Sequence, residues 1–277
     1  MNIVNLSVRK KEEIILGNVG NQDYSPGDRV IVEIDKTLEI AKVISKEYIV
    51  KKTNEPIFKI LRKILPEDEK IINENQQKEK EILKTVMRKI KENDLDMKLI
   101  SLEYSYDRTK LYIYYTSETR VDFRSFIKEL GYILKTHIQM VQIGIRDAAK
   151  ILGGFGHCGR LLCCMTFLKE FSSISMNMAK QQEISSNVSK MFGLCGRLMC
   201  CLAFESEFYE EMRKKIPQIG TKVQTPDGPG IITAVNCLTQ EVVVELQNKQ
   251  IKKFKNEEIN VSFLEKITHE VVEKLKI

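Results

Sequence analysis

Residues 156–167 read GHCGRLLCCMTF and residues 193–204 read GLCGRLMCCLAF, so a twelve-residue motif occurs twice, 37 positions apart. We call these stretches copy one and copy two. Eight of the twelve positions are identical and spell Gly-x-Cys-Gly-Arg-Leu-x-Cys-Cys-x-x-Phe, which makes chance repetition very improbable. The repeat predicts two cysteine triplets with equivalent roles, formed by Cys158, Cys163 and Cys164 in copy one and by Cys195, Cys200 and Cys201 in copy two.

The distribution of cysteine indicates the kind of chemistry. None of the first 157 residues is a cysteine, and Cys237 stands apart from the two triplets. The N-terminus does not have the pattern of a signal peptide, and no apolar run approaches the length needed to cross a bilayer, so we expect a cytoplasmic protein. A reducing compartment favours metal binding or redox chemistry over structural disulfides.

Composition sets wide limits on function. The chain has 277 residues, of which 43% are hydrophobic and 30% charged, and this suits a globular protein of roughly two domains. Its net charge of +6 is compatible with a polyanionic partner without identifying one. With three histidines and no P-loop or His-Glu-x-x-His motif, the sequence does not predict an enzyme.

The spacing within each triplet leaves several chemistries open. Cys-Gly at the head of each copy is typical of a metal knuckle, in which glycine lets the chain curl around the sulfur. The Cys-x4-Cys element is similar to plant-type ferredoxin spacing, which favours an iron–sulfur cluster. Zinc, dithiol redox chemistry and purely structural cysteines remain alternatives, since zinc knuckles usually have two to four intervening residues. We expect the two copies to be two arms of one metal site, with all six cysteines as candidate ligands.

Patterns around the repeat predict an α+β chain. Residues 1–55 alternate apolar and polar between turn signals, which favours a small N-terminal β domain. For residues 60–145 we expect an α+β sandwich with helices on one side of an antiparallel sheet. One helix should begin at Pro66, and a second should have Asp122 as its N-cap. Residues 146–216 form the duplicated cysteine region, and residues 217–277 suggest an SH3-like β barrel followed by a helix from Phe263 to Ile277.

Motifs across about half of the chain resemble the RicT (YaaT) family, whose members have a polymerase-suppressor-protein C-terminal domain and are also called stage 0 sporulation proteins. The resemblance extends from about Leu61 to Phe204 and rests on both cysteine copies together with four further stretches. These are Asp122–Arg124, Gln142–Asp147, Lys150–Gly154 and Met178–Gln181.

The resemblance implies a function. Members are non-enzymatic subunits of a complex with RicA- and RicF-like proteins, and 4Fe-4S clusters are held by ligands from several chains. This would make the six motif cysteines cluster ligands. The complex is associated with the endoribonuclease RNase Y, mRNA processing, sporulation, competence and biofilm formation. From the residues alone, a zinc-stabilised RNA-binding module is the alternative.

Two groups of residues allow a direct role with RNA. Arg146, Arg160 and Arg197 could contact phosphates, although compensation of cluster charge or contact with an acidic partner is the favoured interpretation. The tyrosines of a predicted hairpin could stack on bases, but period-two aromatic residues in strands usually pack across strands. These tyrosines are Tyr104, Tyr106, Tyr112, Tyr114 and Tyr115.

Overall fold

A computed structural model describes residues 2–20, 22–50, 53–182, 184 and 188–261. The chain divides into two compact units, Met1–Lys169 and Glu170–Ile277. Both helices and several sheets are present, which confirms the predicted mixed α+β class. No helix in the described ranges has the length and apolarity required to cross a membrane.

The first unit opens with a closed β barrel. Its strands are β1 (Asn2–Val8), β2 (Glu13–Asn18), β3 (Arg29–Ile34), β4 (Thr37–Val43) and β6 (Ile57–Lys63), with the short β5 (Tyr48–Ile49) beside β1. The sheet order is β2-β6-β3-β4-β1-β5, and the additional pairing of β1 with β2 closes the ring. Alternating side chains fill its interior because successive residues of a strand point to opposite faces. The interior includes Val4, Leu6, Val30, Val32 and Val43.

A three-stranded sheet with two helices follows. The elements are α1 (Pro66–Glu92), β7 (Lys98–Tyr104), β8 (Lys110–Thr116), α2 (Arg124–Leu134) and β9 (His137–Gln142). Both helices pack on one face of this sheet through a core that contains Val86, Phe126, Leu130, Leu111 and Ile113. The start of α1 at Pro66 confirms the sequence prediction.

Two details of this sheet differ from expectation. β8 pairs antiparallel with β7 but parallel with β9, so the sheet is mixed rather than antiparallel. The reason is that α2 carries the chain back across the sheet before β9 begins, as a parallel connection requires. The N-cap of α2 is Phe123 instead of Asp122, although the Asp122 carboxylate still accepts the backbone N–H of Arg124 at 3.1 Å.

After β9 the first unit ends with α3 (Ile145–Leu152) and copy one. Ala148 of α3 joins Tyr112, Tyr114 and Ile143 in a core on the sheet face opposite α1 and α2. This packing fixes the position of the helix that immediately precedes the first cysteine motif.

The second unit contains short helices and one antiparallel sheet. The helices are α4 (Met176–Gln181), α5 (Cys200–Phe204) and α6 (Ser206–Lys214). The strands are β10 (Lys222–Thr225), β11 (Gly228–Asn236), β12 (Glu241–Leu246), β13 (Ile251–Lys255) and β14 (Asn260–Val261), in the order β13-β12-β11-β10-β14. Cys237 is buried in the core of this sheet, which agrees with a structural role. Likeness to an SH3 barrel stays a prediction, and the expected terminal helix lies outside the described residues.

Candidate metal centre

Copy one forms a tight hairpin with Cys158 at its tip. Phe155 and Leu161 form an isolated antiparallel bridge at the base of the hairpin. The Gly156 N–H donates to the Arg160 carbonyl at 2.8 Å, and the Gly159 N–H donates to the Gly156 carbonyl at 3.0 Å. Gly159 has φ +76°, which glycine adopts without steric cost. The backbone therefore curls around Cys158, as the Cys-Gly pair predicts.

Copy two repeats this geometry at the equivalent positions. Phe192 and Leu198 form the bridge, and the Gly193 N–H donates to the Arg197 carbonyl at 2.9 Å. The Gly196 N–H donates to the Gly193 carbonyl at 2.9 Å, with φ +73° at Gly196. The repeat in sequence is thus also a repeat in local structure, with Cys195 in the place of Cys158.

The thiol of each tip cysteine lies close to the glycine two positions before it. A Cβ atom added to Gly156 would lie 3.4 Å from the Sγ atom of Cys158, at the tight limit of ordinary contact. At Gly193 the corresponding distance to the Cys195 Sγ atom is 3.9 Å. The thiol therefore lies over the first strand of the hairpin, closer in copy one than in copy two.

The adjacent cysteines follow each hairpin in a helical turn. The Leu162 N–H donates to the Gly154 carbonyl at 3.2 Å, and its equivalent Met199 donates to the Met191 carbonyl at 3.0 Å. Cys163 and Cys164 come directly after the first of these contacts, and Cys200 and Cys201 begin α5 after the second. In each copy, the same backbone arrangement thus carries one thiol at the hairpin tip and two at the start of a turn.

The thiols differ in exposure. Cys158 is exposed, Cys164 is buried and the other four motif cysteines are half-buried. None of the seven cysteines forms a disulfide. The tip thiols can therefore be approached from outside the hairpins, whereas Cys164 packs inside its own unit.

The donor set suits a thiophilic metal. Thiolates are the usual ligands of iron–sulfur clusters and of structural zinc, and binding requires their deprotonation. Within the described ranges, however, no three His, Cys, Asp or Glu side chains are grouped so that they could hold an ion. Copy one lies in the first unit and copy two in the second, so their approach to a common site stays a prediction.

The motif arginines are solvent-exposed. Neither Arg160 nor Arg197 forms an ion pair with any other residue that the structure describes. Each follows its tip cysteine by two positions, so a positive charge stands beside each hairpin. Such a charge can compensate negative thiolates or an acidic partner surface.

The tyrosine strand belongs to the interior. Tyr112 and Tyr114 are fully buried, and their hydroxyl groups donate to the carboxylates of Glu39 and Glu103. Buried rings cannot stack on bases, so these two tyrosines do not form an RNA platform. Packing across strands is the interpretation that the structure supports.

Sequence reasoning missed the charged network around these tyrosines. The guanidinium of Arg9 lies 4.3 Å from the centre of the Tyr112 ring and 3.4 Å from Glu39. Burial raises the pKa of the Glu39 carboxyl, although its contacts with Tyr112 and Arg9 oppose this effect. The available signal was the position of Glu39, which is in phase with the buried Ala41 and Val43 of β4.

Two parts of the chain match known protein families. Residues 58–143 match the PSP1 C-terminal conserved region, and residues 173–216 match the third domain of PSP1-like proteins. An uncharacterized protein of Schizosaccharomyces pombe is 33% identical over 85 residues, which are 31% of this chain and 11% of that protein. No solved structure matches significantly.

A full-length relative decides the family. The stage 0 sporulation protein YaaT of Bacillus subtilis is 38% identical over 254 residues, which cover 90% of this chain and 91% of that protein. The match extends well beyond the two cysteine copies and includes both compact units. The protein therefore belongs to the RicT (YaaT) family.

Proposed function

We propose that this protein is a non-enzymatic iron–sulfur adaptor, a cytoplasmic subunit that assembles with RicA- and RicF-like proteins. In this role it modulates RNase Y-dependent mRNA processing and, through it, sporulation, competence and biofilm formation. The observation that carries the proposal is the repeated hairpin, which presents a tip thiol and an adjacent thiol pair in the same backbone geometry twice. The name of the Bacillus subtilis relative, a stage 0 sporulation protein, supports the developmental part.

The ligands would be Cys158, Cys163, Cys164, Cys195, Cys200 and Cys201, with further ligands from partner chains. A bound 4Fe-4S cluster would link the chains and make their association depend on iron supply and oxidation. Each copy offers at most three thiols, and Cys158 is exposed at the tip of its hairpin. A partial donor set with an exposed thiol at its tip suits a site completed across an interface.

The chemistry of the motif favours assembly over catalysis. A nuclease needs a metal–carboxylate set or a general acid–base pair at the scissile phosphate. Thiolates at the motif spacing supply neither group. The chain's own residues would instead orient the cluster and compensate its charge, and Arg160 and Arg197 stand beside the tip thiols for the second task.

A zinc-stabilised module that binds RNA itself is the second candidate. A cysteine at the tip of a tight hairpin is also a feature of zinc knuckles, and the exposed motif arginines could contact phosphates. On this alternative each copy would hold zinc, and the arginines would contribute to salt-dependent RNA binding.

Anaerobic purification with the RicA- and RicF-like proteins distinguishes the two candidates. The adaptor predicts a brown complex with iron and acid-labile sulfide, and loss of both in the Cys158→Ser and Cys195→Ser variants. Cys237→Ala is the matched control, because Cys237 is buried in a core away from the motif and should leave iron content unchanged. A colourless complex with stoichiometric zinc would contradict the adaptor proposal and support the alternative.

A further inference from the structure

The two copies share a backbone, but their apolar side chains have different surroundings. In copy two, five positions contribute to one small core: Met191, Phe192, Leu198, Met199 and Leu202. The equivalent residues of copy one are Gly154, Phe155, Leu161, Leu162 and Met165. None of these five belongs to a hydrophobic core formed by the described residues. In copy two, other residues of the chain therefore pack on the apolar side chains of the hairpin. In copy one, the described residues provide no such packing, and we call the residues that pack on copy two its cover.

The cover of copy two is α4 with the residues that flank it. Ile174, Met178 and Ala179 pack against the hairpin, and Ala179 is fully buried. Just after α4, the side-chain amide of Gln182 donates to the carbonyl of Leu202 at 2.6 Å in a buried hydrogen bond. The cover thus consists of a small residue, two medium-sized apolar residues and an amide donor.

Copy one has no helix at the position equivalent to α4, because the residues there belong to the three-stranded sheet. Counting back 37 residues from α4 leads to residues 139–144, which contain the end of β9 instead of a helix. As a result, Phe155 is 66% exposed and Leu161 is 48% exposed, whereas Leu162 and Met165 beside them are half-buried. The carbonyl of Met165, the equivalent of Leu202, accepts no hydrogen bond from any described residue.

The charge around copy one indicates the charge of a partner that would cover this hairpin. Residues 145–169 contain four Lys or Arg residues and one Asp. Lys150 and Lys169 share a single carboxylate, that of Glu12, so a surplus of positive charge remains after this pairing. Arg160 is exposed without an ion-pair partner in the described chain. The whole chain carries a net charge of +6, so a second copy would approach this surface with charge of the same sign. An acidic partner is favoured on electrostatic grounds.

We infer that the surface of Phe155, Leu161, Leu162 and Met165, here called the open face, docks one amphipathic helix of an acidic partner protein. The helix reproduces the cover of copy two, with a small residue packed between larger aliphatic ones. An amide or hydroxyl side chain at its end donates to the Met165 carbonyl. This inference rests on the proposed function, because it specifies where a partner chain contacts this one beside the first cysteine triplet.

Photo-crosslinking tests the occupant. The full-length chain carries benzoylphenylalanine at position 155 and is co-expressed with the two partners of the proposed complex, with the same substitution at position 192 as control. Position 155 should cross-link to a helix of one partner, whereas position 192 should give cross-links within this chain, near Met178. Cross-links from position 155 only to a second copy, only to this chain, or to nothing would overturn the inference.

Paired variants separate docking from folding. Phe155→Ser with Leu161→Ser should leave the melting temperature of the isolated chain unchanged and weaken partner binding by roughly 10- to 100-fold. Phe192→Ser with Leu198→Ser, at the equivalent positions, should lower the melting temperature instead. Full affinity of the first pair would refute the inference.

Iron content of the complex is measured in parallel. A complex that contains iron but does not cross-link at position 155 rejects the docking surface alone. A complex without iron rejects the proposed cofactor.

Discussion

Replacing Arg9 by methionine should destabilise the first unit, and the loss should be larger at neutral than at acidic pH. Arg9 supplies the positive charge beside Glu39, whose side chain is only 3% exposed. The carboxylate also accepts a hydrogen bond from the Tyr112 hydroxyl, so it keeps one partner after the substitution. Methionine fills most of the space over the Tyr112 ring and leaves the buried carboxylate without its counter-charge.

The size of the effect follows from this geometry. Removing one partner of a buried ion pair costs about 3–5 kcal/mol, and the 3.4 Å contact with a partly accessible Arg9 places this case at about 3 kcal/mol. For a unit of this size, each kcal/mol shifts the melting temperature by about 2–4 °C, so we expect a decrease of about 6–12 °C. Arg124→Met is the matched control, since Arg124 is 88% exposed in its pair with Asp122 and should cost no more than about 0.5 kcal/mol.

The pH dependence identifies the cause. Burial raises the pKa of Glu39 in the folded state, so protonation favours folding and the stability contributed by the protonated form is lost as pH rises through that pKa. Without Arg9 the pKa rises further, so the penalty of the variant should shrink as the pH falls toward it. Thermal unfolding across pH measures this for Arg9→Met alone and in a Glu39→Gln background, where the penalty should be smaller by at least about 1 kcal/mol. An equal, pH-independent penalty in both backgrounds would refute the reasoning.

Two further predictions concern the cysteine motif. Cys158→Ser and Cys195→Ser should each leave the stability of the isolated chain within about 0.5 kcal/mol, because neither thiol is buried in a core; loss of helical circular dichroism in either variant would contradict this. Gly159→Ala should lower the free energy of unfolding by about 1 kcal/mol, because φ is +76° at this position. Gly131→Ala inside α2 should raise it by about 0.5–1 kcal/mol, since alanine favours the helix and the new Cβ would lie 3.7 Å from the nearest atom. Equal effects of the two glycine changes would show that the left-handed turn is not what requires glycine.

Local chemistry made part of this structure predictable. Pro66 with the acidic residues after it predicts the start of α1, and the Cys-Gly pairs predict both hairpins. These features depend on residues close together in the sequence, where propensity and turn geometry decide the outcome.

Long-range pairing was not predictable in the same way. The apolar pattern predicts a strand from Ile138 to Ile143, close to the bounds of β9, but it does not give the strand's direction. The parallel pairing of β9 with β8 therefore differs from the antiparallel sheet that we expect from sequence. Closure of the barrel through the pairing of β1 with β2 depends likewise on strand order. The partners of Glu39 are also distant in the sequence, since Arg9 follows β1 of the barrel and Tyr112 belongs to β8 of the three-stranded sheet.

The two copies differ at some apolar positions but not at their cysteines. Positions 162 and 165 differ from their counterparts Met199 and Leu202, and both of these counterparts belong to the core that α4 covers. The cysteines are identical in both copies although their exposure differs, with Cys164 buried and its counterpart Cys201 half-buried. Leucine also recurs at positions 161 and 198 in these two environments, so identity alone does not exclude a packing role. A cysteine kept only as a small apolar side chain is expected inside a core, however, and Cys158 is exposed. The exposed thiol of Cys158, with Cys195 at the same place in the second hairpin, favours a chemical requirement for sulfur that the repeated hairpin holds in one local geometry.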